Sequence, residues 1–480
     1  MLLLLLLPTL ALVAQEHREQ VTVEVVDVPV YVYGDAGPVR NLHKEDFDLY
    51  VNGKRQAIEY FDTIDIGNEP PAPAGAPPDL RRRRIFLFMF DLSFTRPLAI
   101  RQGKEAALAM VESAQPGDLF GVATLSPAGA SFLTPFSNDR LVVKRALYKL
   151  SPSAANDPLM VAITAPERID VQQYSTSGPF TGISSRGHGR GAEADEIVGE
   201  YMTAADPLHK AVLERRARDQ ADDLALVSTR MGELEGERHL IFFSHGALAL
   251  GTATTERMFA AFHAAGVFLH SVDMTVKLTL ENEPLRELAR GTGGQFIHGT
   301  NDITGALQTL STNVGAGYRL GFKPVNVRKG DNAIAVKVRN APRRSVLIYR
   351  TGFSSGQAAR EGIDPLRLAD IILNDTPQSG TAPSIELAGP QLLIVRLPAQ
   401  SLARQFGEVK DAQLLLYIFD EQGSAVDYRE QQVPIPATTA DDILYREPLK
   451  LPPGRYVAKA LLRVGTSLGF TKTSFVIPAR

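Results

Sequence analysis

From residue 85 onward, short apolar runs alternate strictly with segments of helical spacing, and few folds accommodate such a pattern. "IFLFMF", at 85–90, is apolar at every position, as a strand covered on both faces must be. "RPLAIRQGKEAALAMVESA" follows with helical spacing, with Pro97 near its first turn and Gly117 after its end. The strands "DLFGVATL", "RHLIFFSHG", "VFLHSVDM" and "QFIHG" are separated by further helical segments, the last being "NDITGALQTLSTNVG". "ASFLTPF" reads as an edge strand. Such alternation predicts a parallel sheet with helices on both faces over residues 85–315. In open sheets of this kind, ligands bind outside the carboxyl ends of the strands. Asp91, Ser93 and Thr95 of "DLSFT" therefore fall where chemistry is expected.

The flanking grammar is different. "VTVEVVDVPVYVY" and "DFDLYVNGKRQAIEYFDTI" alternate at period two, and Asn52-Gly53 favours a tight hairpin. Residues 20–66 hold too little material for a sandwich, and 316–353 ("GYRLGF" through "VLIYRTGF") supplies strands of the same type. The expected architecture is an α/β domain inserted into a β-sandwich made of those two halves. The Pro/Ala-rich stretch within 67–84 reads as an extended linker, and the four arginines at its end as a solvated charge cluster. Residues 151–200, rich in Ser, Gly and Arg, read as a mobile insertion; 354–384 reads as a second linker. Several short strands with turn signals over 385–480 predict a C-terminal all-β, sandwich-like domain.

Composition narrows the function. A net charge of −3 gives no global positive field, which argues against nucleic acid as the main partner. Cysteine is absent, so disulfides, thiolate metal sites and cysteine nucleophiles are excluded. The leucine-rich start, cut after Ala14, is expected to be a secretory signal (1–14) and is too short for a permanent span. Export to the periplasm or the exterior follows as an expectation, with no stable membrane span in the mature chain.

The α/β alternation, "DLSFT" and "LARGTGGQFIHGTNDITGALQTLSTNVGAGYRLGF" together resemble a von Willebrand factor type A domain, a Rossmann-like fold. The layout over residues 20–353 is similar to the VWFA-related proteins of Acidobacteria. The resemblance implies a non-enzymatic adhesion or scaffold module that binds a protein partner. It also implies a metal-ion-dependent adhesion site with an Asp-x-Ser-x-Ser loop, a Thr from a second loop and an Asp after the central strand. Asp91 and Ser93 match, Thr95 keeps the last hydroxyl, and Thr203 of "EYMTAADPLHKAV" is the candidate second-loop ligand. His245 stands where the family's Asp belongs.

That exchange removes about 3 kcal/mol of attraction for a cation at about 5 Å with an effective dielectric near 20. Imidazole also suits Zn, Ni or Cu better than Mg²⁺, which prefers an octahedron of oxygens. The expectation is a degenerate site, with no cofactor or only weakly bound Mg²⁺ or Mn²⁺. The bland alternative makes Asp91 a satisfied acid at a strand end, with Ser93 and Thr95 capping the helix that begins near Pro97. A serine hydrolase using Ser244 and His245 is the other alternative, but Phe242 occupies the Gly position of the Gly-x-Ser-x-Gly elbow. His263, His270 and His298 lack ligand-like spacing and read as structural; "GTGG" reads as a helix C-terminal turn.

Overall fold

The computed structural model describes residues 25–68, 79–93, 95–150, 211, 214–246, 250–275, 282–325, 327–356, 364–389, 391–437 and 441–479. The expected signal, the whole of the insertion at 151–200 and Thr203 lie outside the described residues.

The chain opens with β1 (Val26–Gly34), β2 (Gly37–Pro38), β3 (Phe47–Val51), β4 (Lys54–Gln56) and β5 (Tyr60–Asp65). Asn52 and Gly53, both at positive φ, close the tight turn between β3 and β4. The α/β domain runs through β6 (Arg84–Asp91), α1 (Pro97–Glu112), β7 (Leu119–Ser126), β8 (Gly129–Ser137) and α2 (Arg140–Lys149). It continues with α3 (214–231), β9 (Glu237–Ser244), α4 (Thr252–Ala265), β10 (Val267–Asp273), α5 (Glu283–Thr292), β11 (Phe296–Ile297) and α6 (Ile303–Asn313).

The sheet order is β11-β10-β9-β6-β7-β8, with β8 antiparallel to β7 and every other pair parallel. This is a doubly wound sheet whose order reverses between β6 and β9. The "IFLFMF" run divides by parity. Phe86, Phe88 and Phe90 face α1, α2 and α6, whereas Ile85, Leu87 and Met89 face α3, α4 and α5. Period-two geometry sends successive side chains to opposite layers, so each layer receives one chemical type from the central strand. Complete burial of each such side chain contributes about 2 kcal/mol.

Four further strands complete the flanking sandwich: β12 (Ala316–Phe322), β13 (Gly330–Val338), β14 (Val346–Tyr349) and β15 (Gly352–Ser355). One sheet is β14-β1-β12-β5, the other β15-β13-β3-β4. Val28, Val30, Leu49, Leu320, Phe322 and Ile334 share the core between them. Strand β1 departs from its period-two expectation. Its opposite face is also buried, because Tyr31 enters the core of the α/β domain and meets Phe268 edge-on at 6.2 Å.

The arginine cluster is corrected more sharply. Arg83 and Arg84 are not solvated; their side chains are 10% and 3% exposed. Arg84 makes a bidentate pair with Asp118 at 2.8 and 2.6 Å and donates to the Ser311 carbonyl at 2.7 Å. Arg83 makes a bidentate pair with Asp370 at 2.9 Å, and Arg82 reaches Asp62 of β5 at 2.9 Å. Each arginine therefore serves a different layer. Nearby, Glu237 accepts from Tyr31 and, at 2.9 Å, from Arg319 of β12.

Residues 354–384, expected as a linker, contain α7 (Pro365–Asn374), capped by Asp364. Leu366 packs into the α/β core, and Asn374 donates to the Phe136 carbonyl at 3.0 Å. Its burial depends on contacts with Arg83 and β8, which local composition does not reveal. Beyond it lie β16 (Ser384–Leu387), β17 (Leu392–Leu397), α8 (Ala399–Phe406), β18 (Val409–Asp420), β19 (Ala425–Ile435), β20 (Ile443–Pro448), β21 (Gly454–Val464) and β22 (Ser467–Ile477). Sheets β16-β17-β20 and β19-β18-β21-β22 enclose one core with Leu402 of α8.

The "GTGG" turn shows why glycine recurs there. Gly293 ends α5 in the left-handed region at φ 82°. A Cβ on it would lie 1.8 Å from the Tyr349 carbonyl oxygen, and one on Gly294 would lie 1.9 Å from that of Leu269. The motif is a point of backbone contact between α5, the central sheet and the sandwich.

Candidate functional site

The topological reversal places the carboxyl ends of β6 and β9 side by side, and these ends carry Asp91 and Ser244. Both are fully buried. Asp91 Oδ1 accepts the Ser93 N–H at 2.9 Å, an Asx turn that folds the loop back on its own strand. Asp91 Oδ2 accepts the Ser244 hydroxyl at 2.7 Å. The carboxylate thus bridges the two strands across the crevice.

Thr95, 2% exposed, directs Oγ1 at the backbone of the same neighbouring loop and accepts the His245 N–H at 3.2 Å. Neither Ser93 nor Thr95 caps α1: its N-cap is Arg96, which makes no side-chain cap bond. The capping alternative is therefore corrected, because Pro97 already supplies the preset φ and has no N–H to satisfy. Asp91, Ser93 and Thr95 meet at one loop, and Thr203 lies outside the described residues.

His245 sits above this bridge. Its carbonyl accepts from Asn282 Nδ2 at 3.1 Å, and its Nδ1 is buried with no hydrogen-bond partner among the described residues. Burial, and then the Arg96 charge, push its imidazole down to about 4, so at neutral pH it is uncharged. The Ser244 hydroxyl is directed to Asp91 and to the Gly246 backbone, away from solvent. Asp273, at the end of β10, accepts the Thr275 N–H at 2.9 Å, and burial raises its carboxyl. Among the described residues, no three His, Cys, Asp or Glu side chains form a metal-holding group.

Next to Ser93 lies a small cleft of about 30 Å³, lined by Leu125, Ser126 and Pro127 at the end of β7 and by one side of α3. Asp219 and Asp223, one turn apart on α3, contribute its carboxylates. Gln220, 7% exposed, lines both this cleft and a neighbouring apolar cavity, and among the described residues its Nε2 has no partner. Sequence reasoning missed these residues. "RARDQADDLALV" reads as an ordinary amphipathic helix, and only the i, i+4 spacing of the two aspartates hinted at a shared face.

His239, His263 and His270 are structural in geometry, whereas His298 is exposed and stacks on Phe296. His239 Nδ1 and His270 Nε2 lie 3.0 Å apart in the core, and His270 Nδ1 accepts the Gln295 N–H at 3.0 Å. His263 of α4 bridges to Asp331 of the sandwich at 2.8 Å and to the Gly291 carbonyl at 2.9 Å.

No family model matches the chain, and no curated protein matches it. Similar solved structures include a von Willebrand factor type A protein from Catenulispora acidiphila, 8% identical, covering 96% of this chain and 75% of that one, with a TM-score of 0.28. The SpRpn10 VWA domain is 10% identical, covering 45% of this chain and 100% of that one, with a TM-score of 0.20. The pilus adhesin SpaC from Lactobacillus rhamnosus GG is 8% identical, covering 91% and 58%, with a TM-score of 0.23. The fold is thus mixed α/β with von Willebrand factor A proteins among its structural neighbours. These scores carry no argument about function, which has to come from the site itself.

Proposed function

We propose that the chain is an exported, non-enzymatic binding or scaffold protein of the VWFA-related type found in Acidobacteria. In this proposal its α/β domain presents the loops at the carboxyl edge of the sheet to a protein partner. The adhesion site is degenerate and works without a resident metal, the flanking β domains acting as a rigid mount. The observation that carries this reading is the Asp91 bridge, in which both carboxylate oxygens accept bonds from within the fold, one of them from Ser244. A metal recruiting Asp91 would have to displace a buried hydrogen bond whose loss costs about 1 to 3 kcal/mol.

The doubly wound topology supports the placement, since the bridge lies at the switch point where such sheets bind ligands. The buried Ser244 hydroxyl supports a role in holding the loops rather than in attacking a substrate. Among the described residues, no helix is long and apolar enough to cross a membrane.

The test joins metal titration to crosslinking. Thermal unfolding of the full mature chain is followed in EDTA and then with Mg²⁺, Mn²⁺ and Zn²⁺, with Asp91→Ala as control. A midpoint unchanged at millimolar metal is expected; a rise that requires Asp91 would overturn the degenerate site, because ligand bound to the native state stabilises it. A photo-crosslinking residue at Ser126 is expected to capture a protein partner from the source cells' envelope fraction, whereas one at Tyr60, on the exposed sandwich surface, is not. Equal capture at both positions, or at neither, would refute a partner-binding carboxyl edge.

A further inference from the structure

His263 lies in the last turn of α4, where the α/β domain meets the sandwich, and both of its ring nitrogens are engaged. Nδ1 lies 2.8 Å from Asp331 Oδ1 of β13. Nε2 lies 2.9 Å from the Gly291 carbonyl oxygen of α5 and 3.1 Å from Thr351 Oγ1, between β14 and β15. One imidazole therefore ties α4 and α5 to two segments of the sandwich. The backbone is shaped to admit it. A Cβ on Gly352 would lie 2.4 Å from Nδ1, so glycine is what lets β15 approach the ring this closely. Phe259, one turn earlier on α4, stacks with the imidazole at a centroid distance of 6.5 Å.

The donors and acceptors around the ring fix its charge. A carbonyl and a carboxylate are acceptors only, so the Nε2 contact needs a proton on nitrogen and the Nδ1 contact needs one shared with Asp331. The Thr351 proton is committed to the Gly291 carbonyl at 2.6 Å, so Thr351 Oγ1 meets Nε2 as a further acceptor. A neutral imidazole has a single N–H and would aim a lone pair at an acceptor 2.8 or 2.9 Å away. Every contact is satisfied only when both nitrogens carry protons.

We infer that His263 is held as an imidazolium and that its second proton latches the α/β domain to the sandwich. The joint is closed while both nitrogens are protonated and loosens as rising pH removes one of those protons. The Asp331 carboxylate and the C-terminal end of α4 favour the cation. Arg350, which donates to the His263 carbonyl at 2.8 Å, and Arg238 of β9, which donates to the Ala265 carbonyl at 2.8 Å, oppose it; Asp27 of β1 offsets Arg350, and Arg290 of α5 is exposed. Burial lowers both of the first two guanidiniums only to about 10, so they stay charged wherever an imidazole titrates. Of these groups, imidazole is the one whose charge changes between about pH 5 and 8. The latch is independent of whatever the carboxyl edge binds, and its sign is opposite to that of the neutral His239 and His270 in the core.

The test uses the full chain labelled with ring-¹⁵N histidine, the His263 signals being assigned by their loss in His263→Gln. At pH 7 both His263 nitrogens should give signals of the protonated type; one unprotonated nitrogen would overturn the inference. Amide exchange over Gly352–Ser355, corrected for its intrinsic pH dependence, should rise about ten- to a hundredfold across the pH interval in which those signals convert to the neutral form, the worth of one charge-assisted hydrogen bond. In His263→Gln, whose side-chain amide still donates to the Gly291 carbonyl but does not titrate, that step should vanish. A step that persists in His263→Gln, or exchange that ignores the conversion in wild type, would overturn the latch. Asp331→Asn keeps an acceptor and removes the charge, so the His263 conversion should move to lower pH; conversion at the wild-type pH would overturn the pairing even if His263→Gln fails to fold.

Discussion

The two edges of the central sheet are built from different chemistry. At the amino edge, where β6 and β9 begin, Arg84, Asp118, Glu237, Arg319 and Tyr31 are buried charged or phenolic groups satisfied across three layers. At the carboxyl edge the same two strands end in Asp91 and Ser244, one acid and one hydroxyl, with loops above them. Among the described residues, His245 Nδ1 in those loops and Gln220 Nε2 on the neighbouring α3 have no hydrogen-bond partner. The amino edge is fixed to the sandwich and to α7, and the carboxyl edge is the one at which the proposed partner would engage.

The largest effect should come from unbalancing the amino edge. Asp118→Asn leaves the Arg84 guanidinium buried without its bidentate partner, which costs about 3 to 5 kcal/mol. The unfolding midpoint of the α/β unit should fall by roughly 6 to 20 °C in calorimetry. Arg84→Met/Asp118→Leu should recover most of that loss, because replacing a buried pair by apolar groups is often close to neutral. A double variant no better than Asp118→Asn would show that the pair is not what joins the layers.

Gly293→Ala should cost about 3 kcal/mol, from a left-handed backbone and a methyl driven into the Tyr349 carbonyl. Limited proteolysis should then release the sandwich from the α/β domain before either unit is degraded. Simultaneous degradation would contradict the assignment of the turn as a docking contact.

The buried imidazoles sharpen the comparison through pH. His270 is pushed down to about 3 by burial, and His239 is lowered by burial, by His270 and by Arg84. Both are neutral in the native state and protonate near 6.5 when unfolded, so the unfolded state binds more protons once the pH drops below 6.5. Stability should therefore be intact above pH 6.5 and fall progressively towards pH 3. For His270 the loss reaches about 3 kcal/mol at pH 4.5, roughly two units below the unfolded value. Urea unfolding of His270→Gln across pH 7 to 4.5 should show a shallower decline than wild type; parallel curves would remove the imidazole from the account.

The smallest effect belongs to the carboxyl edge. Asp91→Asn keeps an oxygen for the Ser93 N–H and presents an amide to Ser244, whose hydroxyl can accept as well as donate. A loss of about 1 kcal/mol is expected, the ordinary worth of one adjusted hydrogen bond. A loss above about 3 kcal/mol would mean that the Asp91 charge is compensated by a cation there.

The layered α/β architecture was legible in the chain because periodicity is local: "IFLFMF" can satisfy its neighbours only between two helical layers, and parity alone decides which residue faces which layer. The strand end at Asp91 was legible too, since an acid and two hydroxyls terminate an apolar run. Three things could not be read. The arginine run at 81–84 looks solvated in sequence, and its partners Asp62, Asp118 and Asp370 lie far along the chain. The α7 helix reads as linker because its burial depends on Arg83 and β8, which the local composition cannot reveal.

The charge of the cleft beside Ser93 was likewise set only by assembly, when α3 brought Asp219 and Asp223 next to it. Sequence by itself determined which segments form strands and helices, through side-chain spacing and backbone freedom within a few residues. Tertiary structure decided which charges are buried together and which polar atoms are left without partners. Those outcomes depend on distance in space, to which residues hundreds of positions apart contribute equally.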